Sequence, residues 1–556
     1  MKKFLLVGAS LVALGAASGA WAADLPTKAP VYGPDCDPYK NYNCLDAYLG
    51  DGFLQRLVNY YRLEWDRDGP PTDPKAPPSR RDGWPATPET TPPMPFTEWP
   101  YGGTTTIGVN RPSSADSPLM VALGNTSLGH WMNDNHIQIY GWINEGGNLS
   151  TNSTHPGGNW PTSYAYTPNT LQLDQAVLYI ERTPDTVQTD HLDWGFRLSG
   201  IYGENYRYTT SYGLGSYQLL GHNLTNGWDL PMEYVELYDP WVMQGLLIRV
   251  GRYISLPDIE AQLAPNNYMY THSYTYTFDN YTNTGIQSTL AVTKNFFLQL
   301  GLTVGTEAPF WHASASIPNP FPNQLYPNGS FHKDPGAQWP SVTTCARYQT
   351  DSGNDNIYLC ADAINNGEWG YNNLQWFGGT YYHKFNDHWH LSYEAYTLYQ
   401  KDVPNVFNPT VQTIVANGGT PFSAPGADIN FNAPNLAQCK TATQLTCTAQ
   451  SFGTTAYLNY SPDHMNNFSF RPEFFDDMEG QRTGVKTRYV NVSLGWQHWF
   501  SPQIEARPEI GFYHSIDQAA FNGSVSIPGP NGIQGLATAP NRFNEFLLAS
   551  DVIFHF

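Results

Sequence analysis

FLLASDVIFHF, residues 546–556, carries the reading that decides the fold. Phe546, Leu548, Val552, Phe554 and Phe556 share one parity of a period-2 strand, broken only by Ser550. Leu547, Ala549, Asp551, Ile553 and His555 share the other, and that parity holds the polar members. Successive strand residues point to opposite faces, so the segment has one oily face and one mixed face. A tilted strand of about ten residues with hydrocarbon on one side and a lumen on the other needs that pattern. The last strand of a soluble sheet is the competing reading of this segment alone. In lipid a bare strand edge leaves peptide groups without partners, so the terminal strand is expected to close against the first one, near Ile139.

The alternation recurs upstream. Ile137, Ile139, Gly141 and Ile143 alternate with Gln138, Tyr140, Trp142 and Asn144. Trp194, Phe196 and Leu198 alternate with Asp193, Arg197 and Ser199, and Leu246, Ile248 and Val250 with Arg249 and Gly251. Val490, Val492, Leu494 and Trp496 oppose Asn491, Ser493 and Gln497. After a turn at Ser501-Pro502, Ile504, Ala506, Ile510 and Phe512 oppose Glu505, Arg507, Glu509 and Tyr513. The expected fold class is all-β, a closed antiparallel transmembrane β-barrel of about 16 strands, within a range of roughly 14 to 18. Asn386-Asp387 and Ser461-Pro462-Asp463 read as short periplasmic turns. Irregular stretches near 306–372 and 402–452 read as long extracellular loops.

The other end of the chain points to export. Lys2 and Lys3, the apolar run from Phe4 to Ala17 and the small-x-small site Ala20-Trp21-Ala22 spell a signal peptide, residues 1–22, cleaved after Ala22. No later run approaches the ~20 apolar residues of a spanning helix. The expected location is the outer membrane of a Gram-negative bacterium. Residues 23–130 form a Pro-rich segment with one short helix, Gly52 to Trp65, whose apolar face is expected to be Phe53, Leu54, Leu57, Val58 and Tyr61. The prolines between 70 and 118 forbid a regular ladder, leaving either a linker or a partial plug of the barrel, which takes residues 131–556.

Aromatics are 15% of the chain, with 37 Tyr and 17 Trp, against 14% charged residues, which suits the two interfacial girdles of a barrel. The net charge of −20 argues against nucleic acid as a partner. Cys36 with Cys44, Cys345 with Cys360 and Cys439 with Cys447 are spaced for three local disulfides in an oxidising compartment, and none of the spacings is a metal motif.

Function rests on what the lumen presents. Asp193, Arg197, Arg249, Glu394, Arg471, Glu473, Glu505, Arg507 and Glu509 lie on the non-lipid parity, because each Arg facing lipid near the midplane would cost about 2–4 kcal/mol. They act either as structural pairs across the wall or as a field that sorts solutes by charge. Ser255-Leu256-Pro257-Asp258-Ile259-Glu260-Ala261-Gln262 reads as a capped, acidic helix start, ahead of a Tyr-rich run from 268 to 281. The segment follows Arg249, Gly251 and Arg252; folded inward opposite basic wall residues it would make a constriction, and the plain alternative is an external loop. Wall acids outnumber wall bases, which suggests mild cation preference. His383, His388 and His390 surround a turn and are read as turn and girdle residues, not as a metal site. Asp476-Asp477-Met478-Glu479-Gly480 reads as a solvated tip. No G-x-S-x-G, H-E-x-x-H or phosphate-binding loop is present, so neither catalysis nor a cofactor is expected.

The order of GWINEGGN (141–148), LYIERTPDTVQTDHLDWGFRLSGIYGENYRYT (178–209) and VGRYISLPDIEAQLAPNNYMYTHSYTYTFDNYTNTG (250–285) resembles the OmpL-like β-barrel porin family. SFRPEFFDDMEGQRTG (469–484) and ARPEIGFYHS (506–515) follow the same pattern. The resemblance covers roughly residues 130 to 556 and implies an outer-membrane pore without implying a solute; analogy with porins also suggests a homo-oligomer such as a trimer. The function expected is a passive diffusion channel for small hydrophilic solutes, with a surface receptor or binding barrel lacking an open pore as the alternative.

Overall fold

The computed structural model describes residues 38, 41–63, 89–91, 94–96, 105–108, 117–153, 158–162, 164–210, 214–215, 218, 224–254, 258–306, 310, 340–369, 373–416, 436–463, 465–501, 503–523, 527–528, 534–535 and 540–556. Sixteen antiparallel strands, each hydrogen-bonded to its neighbours in sequence, close into one barrel. They are β1 (Gln138–Ser150), β2 (Leu171–Arg182), β3 (Asp193–Gly203), β4 (Gly227–Asp229 with Glu233–Asp239), β5 (Leu246–Ile254), β6 (Thr282–Ala291), β7 (Phe296–Thr306) and β8 (Ser341–Gln349). The second half comprises β9 (Asp355–Ile364), β10 (Gln375–Lys384), β11 (Trp389–Pro404), β12 (Thr446–Asp463), β13 (Asn466–Asp477), β14 (Thr487–Ser501), β15 (Ile504–Ala506 with Glu509–Ser515) and β16 (Asn544–His555). β4 and β15 are interrupted where Pro231 and Pro508 stand, because proline has no N–H to give the ladder.

Closure falls where the terminal alternation puts it. β16 pairs with β1 from Leu547 opposite Ser150 to His555 opposite Trp142. Gly141 and Phe556 then exchange both backbone hydrogen bonds, each at 2.9 Å. Phe546, Leu548 and Phe554 face outward and are exposed, whereas Glu545, Leu547, Ala549, Asp551, Ile553 and His555 face inward and are buried. The same division runs round the wall: Leu298, Leu300, Leu302, Val492, Leu494, Ile510 and Phe512 form part of an exposed apolar belt. That belt marks the lipid side, since a soluble fold would bury it.

The two ends of the barrel differ. At one, strands join through short turns such as 292–295, 350–354, 385–388 and 502–503. The turn expected at Ser461 to Asp463 lies slightly later, because β12 runs on to Asp463. At the other end lie the long connections. The stretch 306–372 is not all loop, since it contains β8 and β9, and 402–452 includes the ends of β11 and β12. Cys345 and Cys360 are therefore cross-strand partners in β8 and β9, joined as a disulfide with Cα atoms 4.1 Å apart. Cys439, in a long connection, is bonded to Cys447 of β12. Cys44 is also disulfide-bonded, while Cys36 and the signal peptide lie outside the described residues.

Among the described residues, four short helices precede the barrel: α1 (Leu45–Leu49), α2 (Phe53–Leu63), α3 (Pro118–Leu123) and α4 (Ser127–Asp134). Ser117 caps α3 through Met120 N at 3.1 Å, and Thr126 caps α4 through Gly129 N at 3.0 Å. The buried face of α2 is Arg56, Tyr60 and Leu63, not the apolar face expected; Phe53, Leu54 and Val58 are exposed. Arg56 decides the orientation by donating to Val121 O at 2.9 Å and Gly50 O at 3.1 Å and pairing with Asp46 at 2.9 Å. Tyr61 donates to the carbonyl of His555, which ties α2 to the short-turn end of β16.

Candidate functional site

The connection between β5 and β6 does not project outward. Residues 258–281 are buried throughout and fold into the lumen. An acidic helix is not formed at 258–262, because the amides that would propagate it bind side chains: Ile259 N donates to Glu394 at 2.9 Å and Ala261 N to Asn267 at 2.8 Å. Helical structure comes later, as a 3-10 turn at Ala264–Asn266 and one α-turn at Tyr274–Thr277 capped by Ser273.

The wall charges singled out from the sequence are what holds this segment. Arg471 of β13 pairs with Glu260 at 3.0 Å and with Glu509 of β15 at 3.4 Å. Glu260 also accepts from Ser273 N at 3.0 Å and from the hydroxyls of Ser273 and Tyr457. Glu509 accepts from Thr271 N at 2.9 Å, and Glu473 from Thr275 N at 2.7 Å. Arg507 donates to the carbonyls of Ala264 and Asn267 at 2.6 and 3.0 Å while pairing with Asp551. Gln175 of β2 binds Gln262 O at 2.6 Å, Tyr268 meets His390 at 2.7 Å, and Tyr396 donates to Thr275 O at 2.6 Å. Removing one partner from a buried set of this kind costs about 3–5 kcal/mol, because the other charge stays buried and unpaired.

The remaining candidates are arranged differently. Arg197 pairs with Glu181 at 2.6 Å, and Arg249 with Glu236 at 2.6 Å, with Tyr234 between the two guanidinium groups. Arg252 pairs with Asp229 at 3.0 Å, and of the basic wall residues it is Arg471 that meets a loop acid, Glu260. Glu505 accepts from Gln497 at 2.6 Å and lies 3.2 Å from His555. Asp193 is the first residue of β3 and is paired with Arg182 at 2.9 Å, not with the lumen loop. His383, His388 and His390 separate: the first binds Asp355, the second Ser461 O, the third Tyr268. Asp477 is not in a solvated tip but fully buried, accepting from Arg482 N at 3.0 Å and Thr483 N at 2.6 Å.

Asp258, the last acid anticipated, is joined by two residues that the sequence left unconnected. Its carboxylate, that of Asp279 and that of Glu394 offer ligand oxygens all within 4.8 Å of one another, and all three side chains are buried. The aromatic lining was also underestimated. Tyr274, Phe278, Trp376, Tyr396, Phe475, Tyr489 and Tyr513 pack in one buried cluster inside the barrel. A second inward element comes from the N-terminal segment, where Thr105 donates to Glu236 at 2.7 Å and Ile107 packs on Tyr238, Leu247 and Phe297. Thr105, Ile107 and Phe297 border a small pocket also lined by Arg249, Gln299, Arg347 and Tyr358. The run of Ser, Thr and Tyr between 268 and 281 was the one sequence signal for this internal path, because such residues bury readily only where partners exist.

A family model described as "Putative beta-barrel porin-2, OmpL-like" matches residues 136–556, and the chain belongs to that family. Among solved structures, the chain is similar to the anion-selective porin from Comamonas acidovorans, with 9% identity, a TM-score of 0.43 and coverage of 76% of this chain and 99% of that one. It is also similar to the outer membrane channel DcaP of Acinetobacter baumannii, with 7% identity, a TM-score of 0.41 and coverage of 76% and 97%. OmpT of Vibrio cholerae gives 8% identity, a TM-score of 0.37 and the same coverages. No curated protein sequence matches the chain.

Proposed function

We propose that this member of the OmpL-like porin family is an outer-membrane channel through which small hydrophilic solutes diffuse passively, with residues 258–281 as its constriction. The observation that carries the reading is the loop held inside a closed barrel by Glu260, Arg471, Glu473, Arg507 and Glu509. Barrels of this strand number leave a lumen wider than their wall side chains can fill, so an inserted loop sets the pore size. No chemical step or organic cofactor enters, since the solute gradient supplies the driving force. Buried carboxylates inside the barrel outnumber buried arginines, which favours mild cation preference. The segment 105–107 acts as a partial plug at the short-turn end, the periplasmic side of an outer-membrane barrel. Cleavage after Ala22 would release residues 23–130 to reach that position.

A second reading is a surface-binding barrel with a sealed lumen. The near-complete burial of the inward side chains on β1, β13, β14, β15 and β16 favours it. Planar-bilayer recording separates the two: discrete conductance steps with a reversal potential shifted toward cations support the channel, and a membrane-inserted protein without steps supports the receptor.

A further inference from the structure

We propose that Asp258, Asp279 and Glu394 form a binding site for a divalent cation, Ca²⁺ by preference, which fastens both legs of the lumen loop to β11. Asp258 opens the described part of the loop, Asp279 closes it, and Glu394 projects from the wall strand between them. Their ligand oxygens lie within 4.8 Å of one another. Oxygens this close can share the coordination sphere of one Ca²⁺, whose ligands sit about 2.3–2.6 Å from the ion.

Each of the three carboxylates keeps an oxygen without a partner. Asp258 Oδ1, Asp279 Oδ2 and Glu394 Oε1 receive no hydrogen bond, although the side chains are 2%, 1% and 0% exposed. By contrast Glu260 and Glu509 share Arg471, and Asp362 takes Asn280, Asn283 and Thr343. Glu394 Oε2 takes the Ile259 amide, but three converging buried carboxylates remain strongly unfavourable as charges, and either shared protons or a bound cation must neutralise them. The donor set contains only hard oxygens and neither His nor Cys, which selects against Zn²⁺.

The test uses the full chain folded in detergent, stripped with EGTA and dialysed against radioactive CaCl₂. One bound Ca²⁺ per chain, saturating somewhere below about 10⁻³ M, is expected. The Asp279→Asn/Glu394→Gln protein, checked for folding by its heat-dependent gel shift, should lose that Ca²⁺. Wild-type protein that takes up no Ca²⁺, or a folded double variant that binds as wild type does, overturns the site. If the double variant fails to fold, Asp258→Asn alone replaces it, with the same two outcomes. Uptake is read without any channel activity, so the result stands whether or not the barrel conducts.

Discussion

Arg471 Nη1 lies 3.0 Å from Glu260 Oε1, and this contact joins the wall at β13 to the loop crossing the lumen. Both side chains are buried, so the pair is held in place by neighbours on both sides. The Arg471→Met variant leaves Glu260 and Glu509 buried without their cation, and a loss of about 3–5 kcal/mol is expected in urea unfolding. Adding Glu260→Gln to it should recover part of that loss by removing one stranded charge. A double variant as unstable as the sum of the two single ones would show that the pair is not coupled.

Conductance should respond to the same change. If residues 258–281 set the pore size, Arg471→Met loosens their attachment, and single-channel steps become larger and noisier than in wild type. Unchanged steps in a folded variant would place the constriction elsewhere. Neutralising Asp258 and Glu260 together should move the reversal potential toward anions, though Glu260 also bonds Ser273 and Tyr457, so the shift must be read beside the step size.

What the sequence disclosed and what it withheld divide along a physical line. Facing inward or outward is a local property: a strand of period 2 assigns Phe546 or Glu509 to a side from its immediate neighbours and the cost of a charge in lipid. The barrel, its strand number and the inward placement of Arg471, Glu473 and Glu509 followed from that. The loop's path is non-local, since Thr271 meets Glu509 across 238 residues of chain. Nothing in residues 258–262 discloses that the Ile259 amide binds Glu394 of the wall and the Ala261 amide binds Asn267 later in the loop. The misjudged face of α2 has a similar cause, because Arg56 is buried by carbonyls from Gly50 and Val121 that its own sequence window does not contain.

The outward belt predicts an asymmetry between adjacent residues. Leu494 is 54% exposed on the apolar face of β14, and Ser493, beside it, is fully buried on the lumen face. Leu494→Arg should destabilise the folded barrel by about 2–4 kcal/mol if it lies near the bilayer midplane. Refolding titrations in lipid vesicles measure this, and a cost near zero would remove Leu494 from the hydrocarbon zone.

Outside the membrane, one exposed clasp has a defined pH response. Asp517, in the connection after β15, is held down to about 2 by the Arg488 side chain and backbone amide, at 2.7 to 3.1 Å. A carboxylate with a depressed value contributes while ionised, so its support is present above the ordinary range near about 3.9 and fades as pH falls through about 2. In selectively ¹³C-labelled protein the Asp517 carboxyl signal should titrate near that lower value, and Arg488→Ala should return it to the ordinary range. A wild-type midpoint at the ordinary value would mean that the clasp is open in solution.

Closure offers the most stringent case, because it depends on one glycine. Gly141 and Phe556 exchange two backbone hydrogen bonds. A Cβ at Gly141 would stand 2.0 Å from Val177 O and 2.8 Å from the Phe556 ring, and a backbone oxygen cannot swing aside as a flexible side chain can. Gly141→Val should therefore prevent β1 from seating between β2 and β16, leaving two open edges that lipid cannot satisfy. The expected result is loss of the heat-dependent gel shift that marks a closed barrel. Gly353→Ala, placed in the short turn between β8 and β9 with no atom within 4 Å of its Cβ, is the matched control. Its positive φ of 71° makes it mildly strained, so it should cost about 1 kcal/mol without preventing closure. A Gly141→Val barrel that closes as well as that control would show that the seam between the first and last strands tolerates displacement.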